Sequence, residues 1–334
     1  MNSDLISICI PTYNGELYLK QCLDSCIEQT YDNYEIIISD DASTDATISI
    51  LNAYVAKSNK IKLFTRVKNS GLVANWNNCL KNSSGKWIKF VFQDDYITKD
   101  CLKEFVSVIK SDSKLIVSKR NFIFDYEASP EEKNHFASKN IPLENVISNS
   151  ENKVNAQQIS KLAVRNICVN FIAEPSLTLF KKELLNEIGY FDADLIQICD
   201  LEFFQRLATT YGLTYLPIQN CFFRLHAQSA TNANRDHKSF TVTYLEPLIL
   251  ANKMKEDDSY ASFRSGLNIF ENLRLNFYIN SRLLELRKAL NQQPENEIVY
   301  SEYCKTHPWL KDPVKNKWFY NLVLNLVFAK RKLN

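Results

Sequence analysis

Two adjacent carboxylates, Asp94 and Asp95, follow a strongly apolar run, Trp87 to Phe92, with only Gln93 between. β-Branched and aromatic residues with one polar interruption at Lys89 predict a buried strand of a parallel sheet. Ligands of open α/β sheets bind beyond the carboxyl ends of the strands, and hard oxygen ligands at such a place suit Mg²⁺ or Mn²⁺. The two carboxylates would equally serve to cap a helix that starts near Thr98, so spacing alone leaves both roles open.

A second strand with the same design lies upstream, where Tyr34 to Ser39 runs into Asp40 and Asp41. Ser43 or Thr44 is suited to cap the helix that follows, whereas capping does not account for Asp41. An exposed carboxylate at this position would accept hydrogen bonds from a base or a ribose.

The elements that must position these acids are strands and helices in alternation. A first strand, Ile6 to Ile10, is expected to stop at Pro11, and the next helix has an apolar face that includes Leu19, Leu23 and Ile27. The alternation predicts an α/β fold whose first hundred residues form a parallel sheet.

Further acids and bases lie in the second half of the chain. Asp200 begins a predicted helix that docks through apolar residues such as Phe203 and Leu207, so it is either the N-cap of that helix or a catalytic base. His226 lies at a predicted strand end, where a structural hydrogen bond and a metal contact are both open. Arg224 is a weaker candidate to steady negative charge.

Four segments in this order resemble the inverting nucleotide-sugar glycosyltransferases of family 2. They are Ile10 to Asn14, Ser39 to Asp45, Asn69 to Gly71 and Gln93 to Asp95. The resemblance covers about residues 5–235. It implies a GT-A type fold, which is a Rossmann-like mixed sheet flanked by helices.

The resemblance also implies roles for single residues. Pro11, Tyr13, Asp41 and Asp94 match nucleotide-binding positions, with Tyr13 stacking on the base, Asp41 accepting a hydrogen bond from it and Asp94 near the ribose. Asp95 matches the acid that binds Mn²⁺ or Mg²⁺.

The resemblance implies roles for two more residues, His226 and Asp200. His226 belongs to a segment resembling the Arg-x-His-x-x-Ser motif and would complete the metal shell or contact the diphosphate. Asp200 matches the general base. The chain departs from the pattern at Gln93 and Cys199, where the family usually has acids.

Composition narrows the classes of function. The chain has 334 residues, 45% of them hydrophobic, and a net charge of +2, which argues against a nucleic-acid-binding protein. Its six glycines are too dispersed for a dinucleotide fingerprint or a P-loop, which excludes a dinucleotide-dependent oxidoreductase. Nine scattered cysteines without a secretory signal predict reduced thiols in the cytoplasm.

The C-terminal part differs in character. We expect residues 1–235 to form the catalytic domain and residues 236–334 a helical extension. No apolar run reaches the ~18 residues of a membrane span. The segment Trp318 to Phe328, followed by basic residues, is typical either of an interfacial helix on the inner face of the cell membrane or of a helix packed on the core.

Together these observations predict a metal-dependent inverting glycosyltransferase. The expected donor is a nucleotide sugar, with UDP as the expected nucleotide, and the acceptor is a glycan, plausibly linked to a lipid diphosphate in bacterial surface polysaccharide synthesis. The alternative, left open by Gln93 and Cys199, is a non-catalytic module of the same fold that binds sugar nucleotides or glycans.

Overall fold

A computed structural model of the chain describes residues 4–125, 129–131, 133–134, 143, 147, 152–226 and 239–312. Its strands are β1 Ile6–Thr12, β2 Tyr34–Asp40, β3 Ile61–Thr65, β4 Trp87–Phe90, β5 Tyr96–Ile97, β6 Leu115–Ser118, β7 Phe122–Phe124, β8 Lys153–Val154, β9 Thr178–Lys181, β10 Leu213–Leu216 and β11 Cys221–Leu225. The predicted segment Trp318 to Phe328 lies outside the described residues.

Helices alternate with these strands in the first half and dominate the second. They are α1 Leu19–Ile27, α2 Thr47–Val55, α3 Leu72–Asn82, α4 Cys101–Ser107, α5 Ala156–Arg165, α6 Leu185–Ile188, α7 Cys199–Tyr211, α8 Glu246–Glu256, α9 Ala261–Ser265, α10 Ile269–Gln292 and α11 Glu297–Thr306. Single 3₁₀ turns occur at Pro175–Leu177, Lys182–Leu184, Asp258–Tyr260, Pro294–Asn296 and Pro308–Lys311, and Thr241–Leu245 is π-helical.

The main sheet has the order β3-β2-β1-β4-β9-β6-β10-β8. Its first four strands are parallel, as the crossover rule predicts for the first hundred residues. β9 runs antiparallel to both of its neighbours, so the sheet as a whole is mixed. A smaller sheet, β5-β11-β7, lies apart from it and brings β11 beside the residues that follow β4.

The first strand extends further than its sequence predicts. β1 continues through Pro11 and Thr12, whose register partners are Ser39 and Asp40. The N–H of Val91 donates to Cys9 O, so Pro11, two residues on, also turns its nitrogen toward the β4 side. β4 pairs with β1 only as far as Cys9, and the missing N–H of proline therefore removes no ladder bond.

The helices after residue 239 share one hydrophobic core with the sheet. Leu248, Ile249, Met254 and Phe263 are as inaccessible as the isoleucines of β1 and β2. Helix α10 buries Leu275, Ile279, Leu283, Leu286 and Leu290, whereas Phe270 and Leu273 in its first turns are 77% and 58% exposed. The predicted boundary at 235/236 falls in a segment outside the described residues and stays a prediction.

Candidate active site at the carboxyl edge of the sheet

Hydrogen bonds to the side chains of Asp40 and Asp41 connect the loops that follow β1, β2 and β3. Asp40 is fully buried and accepts hydrogen bonds from Thr12 Oγ1 at 2.9 Å and from the Ser43 N–H at 2.9 Å, so its role is structural. Asp41, 2% exposed, accepts from the Ser70 and Gly71 N–H groups at 2.9 and 2.8 Å. The Asp41 carboxylate therefore already binds this loop, and it would have to accept the predicted hydrogen bond from the base in addition.

Tyr13 presents its side chain to solvent at the same edge, with 44% of its surface exposed. Its backbone is held on both sides by Gln93: the Tyr13 N–H donates to Gln93 Oε1 at 2.9 Å, and Gln93 Nε2 donates to Tyr13 O at 3.0 Å. Pro11 is buried within β1. Of the two predicted nucleotide contacts in this segment, Tyr13 is therefore the accessible one.

Asp94 and His226 form a close pair. His226 Nε2 lies 2.9 Å from Asp94 Oδ2, and both side chains remain partly accessible, at 11% and 22%. β11 delivers the histidine because it pairs antiparallel with β5, which begins two residues after Asp94. The structure thus joins His226 to Asp94, the predicted ribose contact, and not to Asp95.

Asp95 turns into the protein. Its carboxylate, 1% exposed, accepts hydrogen bonds from the hydroxyl of Ser176 and from the Arg224 N–H, the latter at 3.0 Å. Burial raises the pKa of Asp95 well above its usual range, and the nearby charge of Asp94 adds to the rise. The metal-binding role of Asp95 stays a prediction that this geometry does not favour.

Arg224 is committed to protein contacts. Its Nε donates to Asp94 O at 2.9 Å and its Nη2 to Gln21 Oε1 at 2.6 Å, and the guanidinium lies 4.5 Å from the ring centroid of Tyr18. The Tyr18 ring also lies 5.0 Å from that of His226. Arg224 therefore braces the Asp94 turn and Tyr18, and the sequence had not singled out Tyr18.

Asp200 lies in the first turn of α7, after the N-cap residue Ile198, so it is not itself the cap. One of its oxygens accepts from the Leu201 N–H at 2.7 Å. Burial raises the pKa of Asp200 to about 7; the Leu201 hydrogen bond and the charge of Arg120 oppose the rise, while the charge of Glu174 adds to it.

Glu174 and Arg120, which no sequence motif singles out, form an ion pair. Arg120 Nε donates to Glu174 Oε2 at 2.8 Å, and Arg120 Nη2 donates to Asn170 O at 2.8 Å. Arg120 follows β6, which is parallel to β4, and Glu174 precedes the antiparallel β9, so both lie at the edge that carries Asp94. The available signal was an acid four residues before the apolar strand that starts at Thr178.

Helix α7 runs directly into β10, which is parallel to β6, so the first turn of α7 with Asp200 lies at the same edge. The charges of Glu174 and Arg120 act on Asp200 there. The turn between Glu174 and Leu177 links the two halves of the site. Glu174 acts on Asp200, while the hydroxyl of Ser176 holds Asp95 and its carbonyl accepts from the buried amine of Lys89.

Helix α7 is fixed by buried charges. Glu246, fully buried on α8, accepts from the N–H groups of Gln197 and Ile198 at 2.9 and 3.1 Å and so caps α7 from another helix. Arg206 makes a bidentate pair with Glu202 at 2.8 and 2.9 Å, where both side chains are inaccessible. Arg206 is therefore a structural residue.

The described residues contain neither a preformed cluster of metal ligands nor a membrane span. In the part of the chain that the structure describes, no group of three or more His, Cys, Asp or Glu side chains is arranged to hold a metal ion. Within the same residues, no helix combines the length and the apolar character that crossing a bilayer requires.

The sequence profile described as "Glycosyl transferase family 2" matches residues 7–189. An uncharacterised glycosyltransferase of Haemophilus influenzae is 39% identical over 124 residues, which are 37% of this chain and 49% of that protein. The poly(ribitol-phosphate) beta-glucosyltransferase of Bacillus spizizenii is 42% identical over 108 residues, 31% of this chain and 17% of that protein. The chain thus spans about half or less of the length of these relatives.

Solved structures share the fold. Residues 1–349 of S. aureus TarS in complex with UDP-GlcNAc align with a TM-score of 0.58 and 21% identity, over 83% of this chain and 80% of that one. The mannosyltransferase PcManGT from Pyrobaculum calidifontis, in complex with GDP-Man and Mn²⁺, aligns with a TM-score of 0.56 and 16% identity, over 96% and 86%. The predicted GT-A type fold with a mixed, helix-flanked sheet is confirmed.

Proposed function

The chain belongs to glycosyl transferase family 2, and on that premise we propose that it is a metal-dependent inverting glycosyltransferase. It moves a sugar from a nucleotide sugar, with UDP as the expected nucleotide, to the hydroxyl of a glycan acceptor. The observation that carries the proposal is the close pair of Asp94 and His226, both partly accessible, at the same edge of the sheet as Asp200, whose pKa is about 7.

The donor binds across the loops after β1, β2 and β4. The exposed ring of Tyr13 stacks on the base, and Asp41 keeps the loop at Ser70 in place beside it. The solved complexes of TarS with UDP-GlcNAc and of PcManGT with GDP-Man support a nucleotide sugar as the donor class.

The donor set at Asp94 and His226 fits a divalent cation. A carboxylate oxygen and an imidazole nitrogen that already lie 2.9 Å apart suit Mn²⁺, and diphosphate oxygens and water would complete the shell. A metal held by Asp94 and His226 would supply positive charge to the leaving diphosphate. Asp95 helps to position this pair. Its carboxylate accepts from the Arg224 N–H and so fixes the backbone two residues before His226.

Asp200 serves as the general base. Inversion is a single displacement in which the acceptor hydroxyl must lose its proton as it attacks the anomeric carbon, and Asp200 accepts that proton. A carboxylate with a pKa of about 7 is a stronger base than an ordinary one and is still ionised in a large part of the molecules at neutral pH. Residue 199 is a neutral cysteine and cannot serve as a second carboxylate base. We therefore assign the action on the acceptor to Asp200.

The acceptor we propose is a surface glycan, with lipid-diphosphate-linked chains as the first to test. The likeness to the poly(ribitol-phosphate) beta-glucosyltransferase supports a polymeric acceptor. We place the reaction in the cytoplasm at the inner face of the membrane, and we propose residues 1–235 as the catalytic domain with residues 236–334 as its extension.

The test is turnover of a panel of nucleotide sugars with Mn²⁺ or Mg²⁺ and a lipid-diphosphate-linked acceptor. Wild type is compared with Asp200→Asn, Asp94→Ala and a surface control, Gln292→Glu. Metal-dependent transfer that both site variants abolish and the control retains supports the proposal. If wild type binds UDP yet transfers no sugar, and Asp200→Asn changes neither binding nor donor hydrolysis, the chain is a binding module.

A further inference from the structure

The loop that carries Tyr13 is held through its backbone. Four consecutive N–H groups, of residues 13–16, donate to the side chains of Gln93, Ser43, Thr47 and Asp45 at 2.9, 2.9, 2.8 and 3.2 Å. Side chains from the loops after β2 and β4 thus fix the path of the loop after β1. Gln93 differs from the other three because it comes from the turn that also carries Asp94.

Gln93 makes a contact that a carboxylate, such as that of Asp94 or Asp95, cannot make. Its amide accepts from the Tyr13 N–H at 2.9 Å and donates to the Tyr13 carbonyl at 3.0 Å, so it pairs with both polar groups of one residue's backbone. An ionised carboxylate accepts hydrogen bonds but donates none, and it would face the carbonyl oxygen with a negative charge. The amide is therefore required for this pairing.

Gly15 provides the space for this contact. A Cβ atom at position 15 would lie 2.3 Å from Gln93 Oε1 and 2.5 Å from Gln93 Cδ, well inside van der Waals contact. The backbone of Gly15 is not in the left-handed region, so its conformation does not by itself call for glycine. The absence of a side chain at position 15 and the amide at position 93 therefore belong to one arrangement.

We propose that Gln93 is a positioning residue that holds Tyr13 as the platform for the donor's base and links that platform to the Asp94 and His226 pair. The inference rests on the proposed function and deepens it. Gln93 thereby joins base recognition to the diphosphate site. Loss of the amide then weakens binding of the nucleoside part of the donor and spares the diphosphate part.

A double-mutant cycle tests the proposal, with Tyr13→Ala, Gln93→Ala, their combination, Gln93→Glu, and Gln292→Glu as a control on an exposed amide. Calorimetry with Mn²⁺ measures binding of UDP, GDP and inorganic pyrophosphate. Gln93→Ala loses two hydrogen bonds. It should therefore bind about tenfold more weakly whichever of UDP and GDP the wild type binds more tightly. We expect Gln93→Glu to weaken this binding at least as much, pyrophosphate binding to stay within about twofold, and the control to match wild type.

The cycle decides the role of Gln93. If Gln93 acts through Tyr13, Gln93→Ala has no further effect in the Tyr13→Ala background. An equal loss in both backgrounds, or an equal loss for nucleotide and pyrophosphate, overturns the inference. Hydrogen exchange is a second readout that needs no ligand: the Tyr13 amide should exchange faster in Gln93→Ala, and unchanged exchange also overturns it.

Failure of the proposed function has a different signature. If wild type binds neither nucleotide, or if Tyr13→Ala binds as tightly as wild type, the assignment of the base platform is wrong and the inference falls with it. If Tyr13→Ala weakens nucleotide binding and Gln93→Ala does not, the proposed function stands and the role of Gln93 alone is refuted.

Discussion

His226 Nε2 lies 2.9 Å from Asp94 Oδ2, across 132 positions of sequence. The next carboxylate along the chain, Asp95, turns the other way and is buried against Ser176 and the backbone of Arg224. Two adjacent acids therefore have different surroundings, one beside an accessible imidazole and one inside the protein.

Asp94→Ala and His226→Ala should separate metal binding from stability. Each removes one ligand of the proposed site, so the Mn²⁺ concentration that supports half-maximal nucleotide binding should rise at least about tenfold, while the melting temperature stays near that of wild type. Asp95→Ala leaves buried donors unpaired and should cost about 2 kcal/mol of unfolding free energy. Metal titrations and urea denaturation measure the two effects, and a metal defect in Asp95→Ala without loss of stability would restore Asp95 as the ligand.

The raised pKa of Asp200 predicts a pH dependence of turnover. Transfer should fall below pH 7 with an apparent pKa of about 7, because protonated Asp200 no longer accepts the acceptor's proton. Asp200→Asn should lower turnover about 10²-fold to 10⁴-fold and leave donor affinity unchanged. A pH profile of kcat/KM for the acceptor is the measurement, and an acid limb near pH 4 would contradict the assignment.

The raised pKa of Asp200 also makes the stability of the protein depend on pH. The folded state holds the proton of Asp200 up to about pH 7, whereas the unfolded chain releases it near the ordinary value of 3.8. The folded state therefore binds more protons between these values, and this carboxyl makes the protein less stable as pH rises through that window. Asp200→Asn should remove this contribution, which denaturation at pH 5 and pH 8 would show.

Glu174 and Arg120 should tune the base in opposite directions. The charge of Glu174 raises the pKa of Asp200 and that of Arg120 lowers it. Glu174→Gln is therefore expected to move the acid limb of the turnover profile to lower pH, and Arg120→Gln to higher pH. Shifts of both variants in the same direction would indicate a structural disturbance and not an electrostatic effect.

Glu246 should link the helices after residue 239 to catalysis. Glu246→Ala removes the acceptor for two N–H groups at the start of the helix that carries Asp200, so we expect turnover to fall several-fold while UDP affinity stays within about twofold. Exposed Glu295→Ala is the matched control. Unchanged turnover in Glu246→Ala would show that the cap does not position Asp200.

Ala42 offers a test of backbone strain beside the nucleotide loops. It has a φ of 64°, in the left-handed region, which costs a residue with a side chain about 1–2 kcal/mol. Ala42→Gly should therefore raise the free energy of unfolding by about 1 kcal/mol. Ala53→Gly, at an exposed position in the last turn of α2, should lower it by up to about 1 kcal/mol, so the two variants should shift the urea midpoint in opposite directions.

Local features of the sequence determined the α/β class, the strands that end in acids and the segments that resemble the family. Each depends on residues close together in the chain: apolar runs end at Asp40 and Asp94, and helical spacing follows the first strand. Such features survive in any arrangement of the elements, because periodicity and strand termination are local properties.

Tertiary structure alone decided which of these residues meet. Neither Asp94 nor Asp95 carries a local mark that shows which one faces His226, and that choice depends on β11 pairing with β5. The antiparallel direction of β9 places Glu174 at the edge that carries Asp94, and Glu246 reaches α7 from another helix. These contacts join residues far apart in sequence, and the packing of whole elements fixes them.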